Sequence, residues 1–224
     1  MGEVCRDEVV SGVQASFDVS AASGLEPLTL TAADVSAVIV TRGDVDLTPV
    51  IDSIPYAEIV IWDNSRREDL KTFGRYAAIE ETTRPVIFFV DDDIRFTGHD
   101  ELMAEYEPGV ILANMSPGWV NGRDLHDSVF VGAGALLDRD VPARAFTKYD
   151  TLFPRDEVFY LYPEAMVSIP SRIKRVNLCR DPYMEVLAWG YAENRMVKQP
   201  WFEDRMAESI RRGRAVRDAF GGKE

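Results

Sequence analysis

The sequence predicts an α/β fold: a doubly wound, mostly parallel central sheet flanked by helices. Three observations carry this expectation. Three apolar runs, VIV (38–40), IVIW (59–62) and VIFFV (86–90), each stop at a polar tip: TRGD (41–44), DNS (63–65) and DDD (91–93). Segments with helical or turn character separate the runs, the alternation that builds a parallel sheet. In such a sheet the functional groups sit on loops beyond the C-terminal ends of the strands. The three tips are therefore expected side by side.

Taken in order, residues 1–33 are small, polar and acidic, punctuated by Gly12, Gly24 and Pro27, and are expected to form an extension with one or two weak strands. DVSAVIVTRGD (34–44) is the first strand and its turn. A short helix is predicted over 48–54, with Pro49 near its start and Pro55 ending it. AEIVIWDNS repeats the strand-and-tip pattern. Residues 67–82 place Leu70, Phe73, Ala77 and Ile79 or Ala78 near one helical face, interrupted by Gly74. GHDELMAEY (98–106) is a helix, VILANM (110–115) a buried strand, and SPGWVNGRDLHD (116–127) a loop rich in Gly, Pro and Asn. SVFVGAGALLDRDV (128–141) is expected as a strand, then a small-residue turn, then the start of a helix continued by 144–149. PEAMVSIPSRI (163–173) holds a short helix after a loop, and residues from Pro200 onward are helical in pattern. The expected division is an extension (1–33), a main domain (34–200, with halves 34–97 and 98–200) and a C-terminal helix (201–224).

At 224 residues and 46% hydrophobic, the chain can bury a sizeable core as one domain. Its formal charge of −13 argues against a nucleic-acid partner held by phosphate neutralisation. Cys5 and Cys179 match neither a disulfide framework nor a zinc pattern. The N-terminus lacks the pattern of a signal peptide, and the apolar runs fall short of the roughly 20 residues of a membrane span. A soluble, cytoplasmic protein with no transmembrane segment is expected.

The DDD tip poses the central question, because three adjacent carboxylates at the end of a buried strand repel one another and are costly to desolvate. Residues i and i+2 of a strand share a side, so Asp91 and Asp93 face together while Asp92 points away. Two carboxylates so placed suit a hard divalent cation, Mg²⁺ or Mn²⁺, which keeps positions for water and substrate phosphates. The opposing charge is then a ligand rather than a part of the chain. An isolated DxD is more often a solvated turn, but the apolar strand and the neighbouring tips favour the metal.

The order VIVTRGD, EIVIWDNS, a helix with an arginine, then VIFFVDDD resembles the nucleotide-binding half of a GT-A glycosyltransferase (a Rossmann-like nucleotide-diphospho-sugar transferase fold), particularly family-2-like members. ANMSPGW, VFVGAGALLDRD, AFTKYD and NRMVKQPWFE are similar to small glycosyltransferases encoded by phages of actinobacteria, which would place the protein in the host cytoplasm. The resemblance spans 35–214. It implies a metal-dependent transfer from a UDP- or GDP-sugar to a hydroxyl of a glycan or protein acceptor. Thr41, Arg42 and Asp44 would lie near base and ribose, Asp63, Asn64 and Ser65 would bind the nucleoside, and Arg75 would face the donor. Asp91 and Asp93 would hold the metal, and Asp92 the ribose. An inverting transfer needs a general base, for which Glu164 matches best and Asp156 and Glu157 are rivals; the family more often has an aspartate where this chain has Glu164.

Other residues carry alternatives. Gly132 and Gly134 would let an acceptor approach the backbone, or serve strand–helix packing. Trp119 would stack on a sugar face or anchor its loop. His126 is a third metal ligand or a polar loop residue, while His99 is explained by capping. For Arg205, Arg211, Arg212, Arg214 and Arg217 the uses are a solvated helix face, a subunit contact in a homo-oligomer, or attraction to an anionic surface. Arg195 and Lys198 are better placed to clamp a diphosphate. The competing functions are a nucleotidyltransferase, disfavoured by the single glycine of TRGD, and a non-catalytic nucleotide-sugar-binding protein.

Overall fold

The computed structural model describes residues 30–123, 125–193 and 195–221, so most of the expected N-terminal extension, with Cys5, lies outside the described residues. Strands β1 (Val35–Thr41), β2 (Glu58–Asp63), β3 (Val86–Asp91), β5 (Val110–Asn114), β6 (Ala135–Asp138) and β7 (Arg172–Val176) form a six-stranded sheet in the order β2-β1-β3-β6-β5-β7. β1 runs parallel to β2 and β3, and β5 parallel to β7, while β6 is antiparallel to both its neighbours. Beside it, β4 (Ile94–Phe96) pairs antiparallel with β8 (Met184–Val186). The expected α/β class with a mostly parallel sheet flanked by helices is what the chain adopts.

Both faces of the sheet are covered, which is why the strands read as continuous apolar runs rather than alternating ones. Val38, Ile87, Phe89 and Leu137 pack beneath α5 (Val141–Tyr149), α6 (Glu157–Leu161), α7 (Pro163–Ser168) and α8 (Phe202–Phe220). Val35, Ala37, Ile39 and Phe88 point the other way, toward α1 (Thr48–Ile51), α3 (His99–Ala104) and the small sheet. Phe88 and Phe89 are both fully buried, one in each layer, and each contributes about 2 kcal/mol of transfer free energy.

Several elements differ from expectation. The helix predicted over 67–82 is broken into a 3₁₀ turn (Lys71–Phe73), α2 (Gly74–Ala77) and another 3₁₀ turn (Ala78–Glu81). Lys71 sits at φ 54°, and the Asn64 side chain takes the Leu70 N–H and the Lys71 carbonyl, so the backbone here bonds to the second tip instead of to a helix. In 128–141 the strand follows the glycines instead of preceding them, with Gly134 at φ 104° turning the chain into β6. The predicted loop over 116–127 contains α4 (Pro117–Arg123): proline is pre-set for the first helical position, and Ser116 Oγ accepts the Gly118 N–H at 3.3 Å. β7 reads RIKRV, too charged to look like a strand, because it is the sheet edge and Lys174 reaches out to Glu105 and Glu107. His99 is no cap: Gly98 holds that position, while the imidazole is buried against Tyr56, Phe88 and Phe96 and hydrogen-bonds Tyr56 Oη and the Ser53 and Phe96 carbonyls.

The basic C-terminal cluster is spent on ion pairs within the chain. Arg212 binds Asp156 and Glu208, Arg214 and Arg217 clamp Asp127, Arg205 reaches Glu157, and Arg211 reaches Glu208. Hydrogen bonds from these arginines hold Asp127 and Asp156 below the usual carboxylate range and bring Glu208 down to about 2. Depressed acids stabilise the fold above the unfolded pKa of about 4, and that contribution is lost as pH falls through the folded value. Urea unfolding should therefore show stability dropping between about pH 4 and pH 2, with a smaller drop in Asp127→Asn. An equal drop in the variant would rule out Asp127 as a contributor. No described helix is long and apolar enough to cross a membrane.

Candidate functional site

The chain leaves β1 and β3 beside each other at the point where strand order reverses: β2 lies on one side of β1 and β3 on the other. Such a switch point opens a crevice at the carboxyl ends of the strands. Thr41 at the end of β1 spans it, its hydroxyl donating to Asp92 Oδ2 at 2.9 Å. The three polar tips do lie together. Gly43, at φ 79°, packs so closely on Asp63 and Ser65 that a side chain there would overlap them, and this joins the first tip to the second.

Within the first two tips most polar groups serve the turns. Arg42 pairs with Asp44 at 2.6 Å on the surface. Asp63 Oδ1 accepts the Ser65 N–H and hydroxyl at 2.9 and 2.6 Å, and Asn64 Oδ1 accepts from Trp62 Nε1 at 3.2 Å as well as from Leu70. Asp63 is held below the usual carboxylate range, first by the Ser65 hydroxyl. Asp63 thus forms the turn of its tip in this structure.

At the third tip the opposing charges come from the chain itself, contrary to the expectation that only a ligand supplies them. Arg75, 4% exposed, donates from Nη2 to Asp91 Oδ1 at 2.7 Å, and its Nη1 lies 3.6 Å from Glu164 Oε1. Burial lowers the proton affinity of this guanidinium, but the charges of Asp91 and Glu164 outweigh it and the net shift is upward. Burial pushes the Glu164 carboxyl up. Asp92, also buried, is used at both oxygens: Oδ2 by Thr41 and Oδ1 by Arg195 Nη2 at 2.7 Å. Arg195 Nη2 also lies 2.6 Å from Asp93 Oδ2. Asp93 is pushed up, chiefly by burial and then by the charge of Asp91. The bend at Asp92 and Asp93, where the chain passes from β3 to β4 in the second sheet, is what gathers the three carboxylates.

Gly132 is the close neighbour of this tip. Its carbonyl accepts the Asp91 N–H at 2.7 Å, and a methyl group on its Cα would overlap the Asp91 carboxylate. Gly134 faces Phe96 instead and serves the turn. If Asp91 holds a divalent cation, Gly132→Ala should weaken Mn²⁺-dependent ligand binding about tenfold, whereas Gly134→Ala should cost about 1–2 kcal/mol of stability in urea and leave binding unchanged. Equal binding losses in the two variants would contradict this division.

Other expected site residues stand elsewhere. Asp156 caps α6, accepting from the Val158 and Phe159 N–H groups, and Glu157 is exposed and paired with Arg205. Of the three acids considered as a base, Glu164 alone is tied to the aspartate tip, through Arg75. Trp119 is on α4, half-buried against the core, which matches an anchor. His126 is exposed on the loop after α4, its carbonyl accepting from Arg175, and no group of three His, Cys, Asp or Glu residues able to hold an ion occurs among the described residues. A divalent cation would therefore draw only Asp91 and Asp93 from the chain. The charge count fits it: four acids face two arginines at the tip, leaving two negative charges uncompensated.

Three participants carry no sequence signal. The Trp189 indole donates to the Asp92 carbonyl at 2.9 Å, Gly190 packs against Asp93 without room for a Cβ, and the buried Tyr76 hydroxyl has no partner in the described structure beside Arg75. The contact of Trp189 with Asp92 spans 97 residues of chain, beyond the reach of any local pattern. No protein-family model matches the chain, and no curated protein matches it.

Proposed function

We propose that the protein is a metal-dependent glycosyltransferase of the GT-A type, moving a sugar from a UDP- or GDP-sugar to an acceptor hydroxyl of a glycan or protein. The observation that carries this reading is the placement of Asp91 and Asp93 at the end of β3 beside the switch point, with Asp91 joined through Arg75 to a buried carboxyl, Glu164. Asp91 and Asp93 would hold the divalent cation, which neutralises the departing nucleoside diphosphate. The tip at 41–44 follows β1 at the switch point, the tip at 63–65 packs against it through Gly43, and together they would receive base and ribose. Asp92, with both oxygens bonded inside the chain, scaffolds the tip; a role on the ribose would require it to exchange Thr41 or Arg195 for a hydroxyl.

In an inverting reaction the acceptor oxygen bonds to the anomeric carbon as the bond to the diphosphate oxygen breaks. The acceptor proton passes to Glu164, whose raised proton affinity suits a base working nearer neutrality. Arg75 holds that carboxyl in register with Asp91. Glu164→Gln should then reduce transfer by about 10²–10³-fold while leaving Mn²⁺-dependent donor affinity unchanged, as read by single-turnover kinetics and calorimetry. A variant that transfers sugar at the parent rate removes Glu164 from the role.

The decisive experiment is a thermal-shift panel of nucleotide sugars with and without MnCl₂. A donor that binds only the folded chain must raise its melting temperature, and the proposal expects at least one UDP- or GDP-sugar to do so only with Mn²⁺ present. Product analysis of that pair, with hydrolysis to free sugar as the minimal activity, separates an enzyme from a binding protein. No shift with any nucleotide sugar would sink the proposal.

A further inference from the structure

Arg195 reaches the aspartate tip on a segment that is fastened chiefly to the tip itself. The Leu187 N–H donates to the Asp93 carbonyl at 2.8 Å, Trp189 Nε1 donates to the Asp92 carbonyl at 2.9 Å, and Gly190 lies against Asp93. Beyond these anchors the strap consists of two 3₁₀ turns, Ala188–Tyr191 and Met196–Lys198, closed on themselves by Lys198 bonding to the Tyr191 carbonyl and Gln199 to the Arg195 carbonyl. Tyr191 and Val197 on the same strap are among the most exposed large apolar residues described. Apart from Leu187 and Met196, half-buried against the two core layers, the segment depends on its few polar anchors to stay in place.

The strongest of those anchors is a single nitrogen shared by two carboxylates. Arg195 Nη2 sits 2.7 Å from Asp92 Oδ1 and 2.6 Å from Asp93 Oδ2, with the side chain only 12% exposed. A guanidinium at that position repels any second cation brought to the same carboxylates. It is also the group best matched to phosphate oxygens. Arg75 differs: it is a buried residue of α2, and its two terminal nitrogens face separate carboxylates, Asp91 and Glu164 of α7.

We infer that Arg195 is the resident cation of the aspartate tip, that it gives up Asp93 when a divalent cation binds, and that the freed guanidinium then takes the diphosphate of the nucleotide. The strap thereby couples cation binding to donor binding. This inference rests on the proposed function in treating Asp91 and Asp93 as a cation site and, in its second half, in taking a nucleoside diphosphate as the ligand.

Calorimetric titration of MnCl₂ into the full chain without nucleotide tests the first half. Arg195→Gln should bind Mn²⁺ about tenfold more tightly than the parent, and Arg195→Lys, which keeps the charge but reaches one carboxylate, should fall between. With saturating MnCl₂, titration of UDP and of GDP should show an affinity about tenfold weaker in Arg195→Gln for whichever diphosphate the parent binds. Mn²⁺ affinity in the Gln variant equal to or below that of the parent overturns the inference and leaves the proposed function standing. Unchanged diphosphate affinity overturns the second half alone. Absence of Mn²⁺ binding in the parent and in both variants overturns the inference and the metal-dependent function together. Should circular dichroism show Arg195→Gln unfolded, the Lys variant carries the comparison, with Mn²⁺ binding about threefold tighter expected and parent-like binding counting against.

Discussion

Arg75→Met is expected to destabilise the protein by about 3 kcal/mol and, under the proposed function, to abolish sugar transfer. Removing one partner of a buried ion pair costs about 3–5 kcal/mol, because the charge left behind has neither water nor a counterion. Two features of this site pull the value toward the lower end. Asp91 keeps 41% of its side chain exposed, and Glu164, already pushed up by burial, escapes by taking a proton. The Arg75 Nε has no hydrogen-bond partner in the described structure, so its loss removes one unsatisfied donor as well. Urea unfolding at neutral pH measures the stability loss. A change below about 1 kcal/mol would mean that the Asp91–Arg75–Glu164 contact contributes little to holding the fold. Arg75→Lys should recover part of the stability but not activity, since an ammonium cannot hold both carboxylates in one plane.

Asp93→Ala should have the opposite profile: stability unchanged within about 1 kcal/mol and, under the proposed function, complete loss of Mn²⁺-dependent nucleotide-sugar binding. Asp93 is raised in proton affinity by burial and by the charge of Asp91, so the folded chain gains little from keeping it ionised. Its removal relieves repulsion at a tip that carries two negative charges in excess, and Arg195 retains Asp92 as a partner. A group that is electrostatically unfavourable to the fold yet required for binding is what a cation site demands. Unchanged affinity and unchanged metal dependence by calorimetry would remove Asp93 from the metal role. Together the two variants separate Arg75, which holds Asp91 and Glu164 in place, from Asp93, to which the proposal assigns the ligand.

Much of the architecture was legible in the sequence because it is written locally. β1, β2 and β3 were found within a few residues of their ends: burial on both faces gives β1 and β3 unbroken apolar runs, and β2, although a half-buried edge strand, keeps the apolar run IVIW up to its polar tip. The segments that escaped have weaker local signals for physical reasons. β7 is an edge strand with charged side chains, α4 begins at a proline in a stretch that looks like a loop, and 67–82 is broken because Asn64 competes for its backbone. The candidate site divides in the same way. Asp91, Asp93 and the three neighbouring tips were visible as a pattern of strand ends, whereas the capping role of Asp156 and the ion pairs of α8 needed the folded chain.

DDD at the end of a buried strand showed from the sequence alone that a positive charge had to stand nearby, since three adjacent carboxylates in that setting cannot remain unopposed. Where that charge comes from was settled only by the tertiary structure. Arg75 reaches Asp91 across 16 residues of chain and Arg195 reaches Asp92 across 103, and neither separation leaves a trace in periodicity or spacing. Strand and tip are consequences of which residues avoid water, a property each segment carries by itself. The pairing of charges depends on which distant segments the sheet order brings to one crevice, and that order exists only once the chain has folded.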